Sequence, residues 1–355
     1  MTLGVLIVDD SVFFRRALRD LIGRDSKFSI IGEAVNGRDA VLKACQLKPD
    51  LITMDVEMPV MDGISAVREI MKRCPTAIMM LSSLTKAGAE ATLEALDAGA
   101  MDFFAKNPAD MDEAFGQGGR YLLPARLRML AARAQRRVHT TLPTIPLVSS
   151  QNVSSVARVA ERGVISRRGL VAIGSSTGGP AALQLVLQAI PAEFPVPILV
   201  AQHMPAAFTQ PFANRLNENL AISVVEVADG MMLQPGFAYI IPGAKHGEIV
   251  RRSQGLFFVT REPVTSEHFR PSVNILFQSA ARVMGGDMLG VVLTGMGDDG
   301  MIGAQDVRAG GGHIWAQDQA TSVIYGMPAA VAKAGLAEAV LPLQEIGPAI
   351  ARCVA

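Results

Sequence analysis

Ser176 stands in the run Gly174-Ser175-Ser176-Thr177-Gly178-Gly179, directly after the apolar stretch Leu170-Val171-Ala172-Ile173. The spacing Gly174-x-Ser176-x-Gly178 is that of a nucleophile elbow, a sharp strand-to-helix turn that lifts a serine hydroxyl clear of a sheet edge. Such a hydroxyl attacks an acyl carbon only with a base beside it and, usually, an acid that orients the base. His203 follows Ile198-Leu199-Val200-Ala201-Gln202, and Asp298-Asp299 follow the apolar run that ends at Leu293, so both residue types fall at the ends of further strand candidates. His246, after the turn Pro242-Gly243-Ala244-Lys245, is the weaker base candidate and is expected to line the site. His268 lies in the same half, while His313 sits inside a strand candidate and reads as a core or edge residue. The chain order Ser…His…Asp differs from the Ser…Asp…His of α/β-hydrolases, which argues against that fold. Spacing alone leaves Ser175 open beside Ser176, and Asp298 open beside Asp299.

A second constellation occupies the first third of the chain. Asp9 and Asp10 end one apolar run, Asp55 ends another, Ser82 follows a third and Lys106 closes Asp102-Phe103-Phe104-Ala105. Three carboxylates form a hard-oxygen pocket suited to Mg²⁺, which takes one or two carboxylates together with phosphate oxygens and water. With the ion present, Asp55 can attack a phosphoryl group in line. Lys106 adds a fixed positive charge opposite the incoming phosphate, and the Ser82 hydroxyl is placed to hydrogen-bond the phosphoryl group once formed.

The elements that must position these residues read as two α/β halves. In the first, short apolar runs at 5–8, 30–34, 51–54, 77–81 and 102–105 alternate with helical patterns, which predicts a five-stranded parallel sheet with right-handed crossovers. Ligands of such sheets lie beyond the carboxyl ends of the strands, so the five polar residues are expected around one pocket. In the second half, strands are expected at 170–173, 198–201, 223–227, 238–241, 255–260, 290–293 and 313–316. Helices are expected at 181–189, 209–219, 272–284 and 301–309, with a small antiparallel portion near 223–260. Between the halves, 122–137 fits an Arg-rich amphipathic helix, and 140–156, rich in Thr, Ser, Pro and Asn without periodicity, reads as a linker.

The 355 residues are half hydrophobic with a formal net charge of zero, which excludes a global field for nucleic acid or membrane binding. The charge is unevenly placed, with ten arginines and a single acid, Glu161, between Arg120 and Arg168. Cys45, Cys74 and Cys353 are an odd number without Cys-x-x-Cys, which predicts no disulfide framework and a reducing compartment. No apolar run reaches the ~18 residues of a bilayer span, so the chain is expected to be cytoplasmic and not membrane-embedded.

Two resemblances follow from these motifs. Val8-Asp9-Asp10-Ser11, Met54-Asp55-x-x-Met58-Pro59-x-Met61-Asp62-Gly63, Ser82-Ser83 and Phe103-Phe104-Ala105-Lys106 resemble the receiver domain of bacterial two-component regulators. That resemblance implies a flavodoxin-like sheet, Asp55 as phospho-acceptor, and Mg²⁺ bound by Asp9, Asp10 and Asp55 with the Glu57 carbonyl. It also implies a histidine kinase as phosphodonor. Gly174-x-Ser176-Thr177-Gly178-Gly179-Pro180, Gln202-His203-Met204-Pro205, Pro242-Gly243-x-x-His246, Arg270-Pro271-Ser272-Val273 and Thr294-Gly295-Met296-Gly297-x-Asp299-Gly300 resemble the catalytic domain of the chemotaxis protein-glutamate methylesterase family. That second resemblance implies Ser176 as nucleophile, His203 as base and Asp299 as orienting acid, with an oxyanion hole near Thr177 and Met296. The substrate would be methyl-esterified glutamate on chemoreceptors, with glutamine deamidation as a related activity, and the esterase chemistry would need no cofactor. The implied organisation is a receiver at 1–121, an Arg-rich helix and linker at 122–167, and a doubly wound α/β esterase at 168–355. The unphosphorylated receiver is expected to cover the esterase face.

Two other functions compete. A nucleic-acid output would use the arginines of 120–168, but no helix-turn-helix pattern or aromatic interleaving accompanies them. A nucleotide module built on Gly174–Gly179 lacks both the Gly-x-Gly-x-x-Gly spacing and a Walker lysine.

Overall fold

The computed structural model describes residues 2–106, 122–139, 169–265, 267 and 269–354, without the side chains of 122 and 134–139. The expected linker and His268 lie outside the described residues. By compactness the chain divides into two bodies, Met1–Pro143 and Thr144–Ala355.

In the first body, strands β1 (Leu3–Val8), β2 (Phe28–Ala34), β3 (Leu51–Asp55), β4 (Ala77–Ser83) and β5 (Asp102–Lys106) pair in the order β2-β1-β3-β4-β5. All four pairings are parallel, which is the flavodoxin-like order. Helices α1 (Val12–Gly23), α2 (Gly37–Leu47), α3 (Gly63–Arg73) and α4 (Lys86–Asp97) make the crossovers. Each begins at a side-chain cap, respectively Ser11, Asn36, Asp62 and Thr85, whose oxygen accepts an otherwise unpaired N–H of the first turn. The near-continuous apolar strands β1, β3 and β4 are buried on both faces, as central parallel strands under helices must be.

Helix α5 (Leu122–His139) packs on the β3–β4 side of this sheet. Leu123, Leu127, Leu130 and Ala131, at helical spacing, are its buried stripe. Two of its arginines are tied to the first body: Arg126 to the buried Asp102 carboxylate and the Phe103 carbonyl, and Arg128 to Asp25 at 3.0 Å. Cys45 in α2 and Cys74 at the end of α3 are joined by a disulfide. The wide cysteine spacing predicted no framework; the pairing arises because α2 and α3 pack side by side, a tertiary contact that spacing does not encode. Cys353 is a buried free thiol whose pKa is pushed up to about 12 by burial.

The second body holds a seven-stranded sheet of β6 (Leu170–Ser175), β7 (Ile198–Gln202), β8 (Ser223–Glu226), β9 (Phe237–Ile240), β12 (Met288–Val292), β13 (His313–Gln317) and β14 (Ala339–Leu341). Its order is β14-β13-β12-β6-β7-β9-β8, and every pairing is parallel. Among the described residues, antiparallel pairing is found in a hairpin of β10 (His246–Arg252) and β11 (Gly255–Arg261) and in one bridge from Met232 to Phe257, so β8 and β9 fall outside the expected antiparallel portion. Helices α6 (Gly179–Gln188), α7 (Ala206–Asn219), α8 (Val273–Met284), α9 (Met301–Ala309), α10 (Met327–Lys333) and α11 (Leu343–Cys353) complete the body. From β6 the chain moves first towards β7 and then returns to lay β12 on the other flank. The β6–β12 boundary is therefore the topological switch point, where such sheets bind ligands. Among the described residues no helix is long and apolar enough to cross a membrane.

Candidate active site

Ser176 leaves β6 at that switch point, and two neighbouring loops are stitched to it. Its N–H donates to the Thr294 carbonyl beyond β12 at 3.0 Å, and the His203 N–H beyond β7 donates to the Ser175 carbonyl at 3.0 Å. A Cβ at Gly295 would stand 2.8 Å from the Ser176 Cβ, so only glycine lets that loop pass so close. The left-handed residue of the turn is Gly178, φ +74°, at the start of α6. Ser176 has no positive φ, so the strained serine of a nucleophile elbow is replaced by a glycine two residues on.

The neighbours of Ser176 resolve what spacing left open. Ser175 is fully buried and donates its hydroxyl to Gln202 Oε1 at 2.6 Å. The Gln202 amide nitrogen donates to the carbonyls of Ser176 and His203, each at 3.0 Å, so one side chain pins both strand ends. Ser176 is half-buried, and its hydroxyl bonds to no described residue, His203 included.

His203 and Asp299 are brought together, Nε2 to Oδ2 at 2.8 Å. Asp298 is exposed, whereas Asp299 is almost wholly buried. Three further donors converge on the Asp299 carboxylate. Ser272 Oγ and the Asn274 N–H reach Oδ1, each at 3.0 Å, and the Val273 N–H reaches Oδ2 at 2.7 Å. Burial alone would raise the pKa of Asp299, but the hydrogen bond and charge of His203 and the backbone donors outweigh it and hold the group below its usual range. Asn274 also caps α9, its Oδ1 accepting from the N–H groups of Gly300 at 3.0 Å and Gly303 at 2.8 Å.

His246 stands behind the site and does not line it. It is fully buried at the start of β10; Nδ1 accepts the Ser272 N–H at 3.1 Å, and Nε2 lies 3.1 Å from Glu267 Oε2. Burial pushes its pKa down, only partly opposed by Glu267, so the ring is neutral with its proton on Nε2. Glu267 is itself held at about 2, chiefly by Arg261. His246 thus braces the segment that holds Asp299. Thr177 is buried and Met296 half-buried, and neither N–H has an acceptor among the described residues. The Thr177 carbonyl is held by Thr294 Oγ1 at 2.9 Å, which orients that peptide.

In the first body Asp9, Asp10 and Asp55 each offer an oxygen within 4.8 Å of the others. Lys106 Nζ bridges Asp9 Oδ2 at 2.6 Å and Asp55 Oδ1 at 2.8 Å. Burial raises the pKa of Asp55, with Lys106 opposing and Asp9 adding to the rise. An all-carboxylate, partly buried donor set is the chemistry a hard divalent cation needs, so these residues fit Mg²⁺. The Ser82 hydroxyl is buried and donates to the carbonyls of Gly88 at 3.0 Å and Ser83 at 3.2 Å, with no bond to the acid pocket.

Sequence reasoning missed Gln202, Ser272 and Asn274 as site residues, although the first two lie inside motifs singled out above. It also missed Phe269, whose ring stacks on His203. No residue periodicity marks any of the four.

A parallel sheet with serine, histidine and aspartate at adjoining strand ends of its switch point, in one chain with a flavodoxin-like acid pocket, has the plan of a two-component regulator with a hydrolase output. Family comparison bears this out. Residues 171–350 match the CheB methylesterase family model, and 5–114 match that of the response regulator receiver domain. A protein-glutamate methylesterase/protein-glutamine glutaminase of Pseudoalteromonas translucida is 45% identical, over 98% of this chain and 97% of its own. A protein of the same description from Aliivibrio fischeri is 46% identical over the same shares. The crystal structure of the Thermotoga maritima CheB methylesterase catalytic domain is 39% identical, with a TM-score of 0.51, covering 52% of this chain and 98% of that one. The chain belongs to the CheB methylesterase family.

Proposed function

We propose that this protein is a phosphorylation-regulated protein-glutamate methylesterase. It removes methyl groups from glutamates of chemoreceptors as methanol and converts receptor glutamines to glutamates. The observation that carries the reading is the 2.8 Å pair of His203 and Asp299 at the switch point from which Ser176 emerges.

Because Asp299 takes Nε2, the proton-accepting nitrogen of His203 is Nδ1. Nδ1 takes the Ser176 proton as Oγ attacks the ester carbonyl, and Asp299 stabilises the imidazolium that forms. The same nitrogen then protonates the departing methoxide, and methanol leaves an acyl-enzyme. A water, deprotonated in turn by Nδ1, releases the glutamate. The unspent N–H groups of Thr177 and Met296 serve the oxyanion, a contribution typically of ~3–4 kcal/mol per donor. Glutamine follows the same path with ammonia as leaving group.

In the receiver, Asp55 accepts the phosphoryl group from a histidine kinase, and Asp9, Asp10 and Asp55 would hold Mg²⁺. The bound ion supplies charge neutralisation on the transferred oxygens. Lys106 is the counter-charge that the chain itself contributes, and Ser82 must turn from Gly88 to meet the phosphoryl group. The protein works in the cytoplasm on the receptors' cytoplasmic glutamates.

Methanol release from methylated receptor membranes tests the reading, with wild type and Ser176→Ala compared with and without Mg²⁺ and a small phosphodonor. Activity that requires Ser176 and rises with the phosphodonor is expected. Release that survives the substitution overturns the nucleophile, and release indifferent to the phosphodonor overturns the control.

A further inference from the structure

We propose that Phe269 is a positioning residue for the hydrolysis: its ring is the surface that holds the His203 imidazole in the plane it needs. The proposal rests on the reading of His203 as base. The two rings are 4.9 Å apart between centroids and 12° from parallel. Phe269 is 37% exposed, a large apolar ring left partly in water beside a polar centre. Its edge meets the turn at Gly297, φ +87°, where a Cβ would stand 3.4 Å from Cζ.

One hydrogen bond does not fix a ring. An imidazole held only at Nε2 by Asp299 is free to swing about the N–H···O axis, and that swing carries Nδ1 out of line with Ser176 Oγ. A contact on the ring face removes this freedom. The residues just after Phe269 already grip the other partner, since Ser272, Val273 and Asn274 all donate to Asp299. The short stretch 269–274 thereby sets both the acid and the plane of the base. Reacting groups misplaced by about 1 Å can lose ~10²-fold in rate, so alignment of this kind bears on turnover more than on binding.

The test uses the full chain with Phe269→Leu, which keeps an apolar body of similar size, and Phe269→Tyr, which keeps the ring. Methanol release from methylated receptor membranes is measured as kcat and KM separately. In Phe269→Leu, kcat is expected to fall roughly tenfold with KM within about twofold. Phe269→Tyr restores kcat. An unchanged kcat, a loss confined to KM or a failure of Tyr to rescue each overturns the proposal. Ser176→Ala in the same assay separates the two levels. If it stays active, the reading of the site falls; if it is inert, the Phe269 variants judge Phe269 alone.

Discussion

Replacing Asp299 with asparagine removes a charge and leaves the shape almost unchanged, so its effects follow from hydrogen-bond counting. Four donors point at the carboxylate: Ser272 Oγ and the Asn274 N–H on Oδ1, the Val273 N–H and His203 Nε2 on Oδ2. An amide accepts only at its oxygen. If that oxygen takes the Oδ2 place, the new NH₂ faces the Asn274 N–H, while the Ser272 hydroxyl can turn to accept. If it takes the Oδ1 place, the NH₂ faces the Val273 N–H, and His203 must present a bare Nε2, which moves its proton to Nδ1 and removes the base. Either way one buried backbone N–H is orphaned, at ~1–3 kcal/mol, and the surviving bonds lose their charge assistance. We expect about 3 kcal/mol of lost stability, a fall of about 6–12 °C in the melting of a body of this size. Turnover falls ~10²-fold if only the charge is lost, and approaches the ~10⁴-fold known for the equivalent change in a serine protease if the tautomer inverts. Calorimetry and methanol release on the same preparation read both. A variant that melts within about 2 °C of wild type and keeps a tenth or more of its kcat would refute the reasoning.

Three other outcomes are expected. Lys106→Met leaves Asp9 and Asp55 facing each other without their bridging ammonium, so the receiver should lose about 3 kcal/mol in denaturant titration without Mg²⁺ and regain most of it with the ion; no Mg²⁺ effect would contradict the pocket. The lowered pKa of His246 means that the unfolded chain binds a proton more readily, so its contribution to stability is complete above about pH 6.5 and lost as the pH falls below it. His246→Gln should flatten that slope, and an unchanged slope in urea melts would assign it elsewhere. Cys45 and Cys74 close a loop of sequence separation 29, so reduction should cost the oxidised receiver ~3–4 kcal/mol by loop entropy, matched by Cys45→Ser. Equal melts of the oxidised and reduced protein would count against the pairing.

What was legible in the sequence was whatever depends on strand ends. Asp9, Asp55, Lys106, Ser176 and His203 each follow a dense apolar run, and parallel topology sends all such ends to one rim. The seven-stranded sheet was read through six of its strands, but β14 is only three residues long and too short to show a period. The roles of His246 and Phe269 stayed hidden for another reason. Each acts through a partner distant in sequence, His203 for Phe269's ring face and, 26 residues on, Ser272 for His246's lone pair, across segments whose backbone direction no residue type announces. The same holds for Cys45 and Cys74, whose approach is a property of two packed helices. The choice between Ser175 and Ser176 turned on Gln202, which only the β6–β7 register sets beside them.

The pairing of β6 with β12 also has a consequence during synthesis. Every strand of the receiver sheet is complete by Lys106, and its neighbours are close in sequence. In the second sheet Leu170 must wait for Met288 before the central ladder can close. At ~5–20 residues per second on the ribosome, that gap of about 120 residues is a delay of roughly 6–24 s. The receiver sheet therefore has all its strands while β6, which ends next to Ser176, still has one bare edge. Asp299 comes off the ribosome after β12, so the chain passes through synthesis with a competent switch and no hydrolytic activity to be switched.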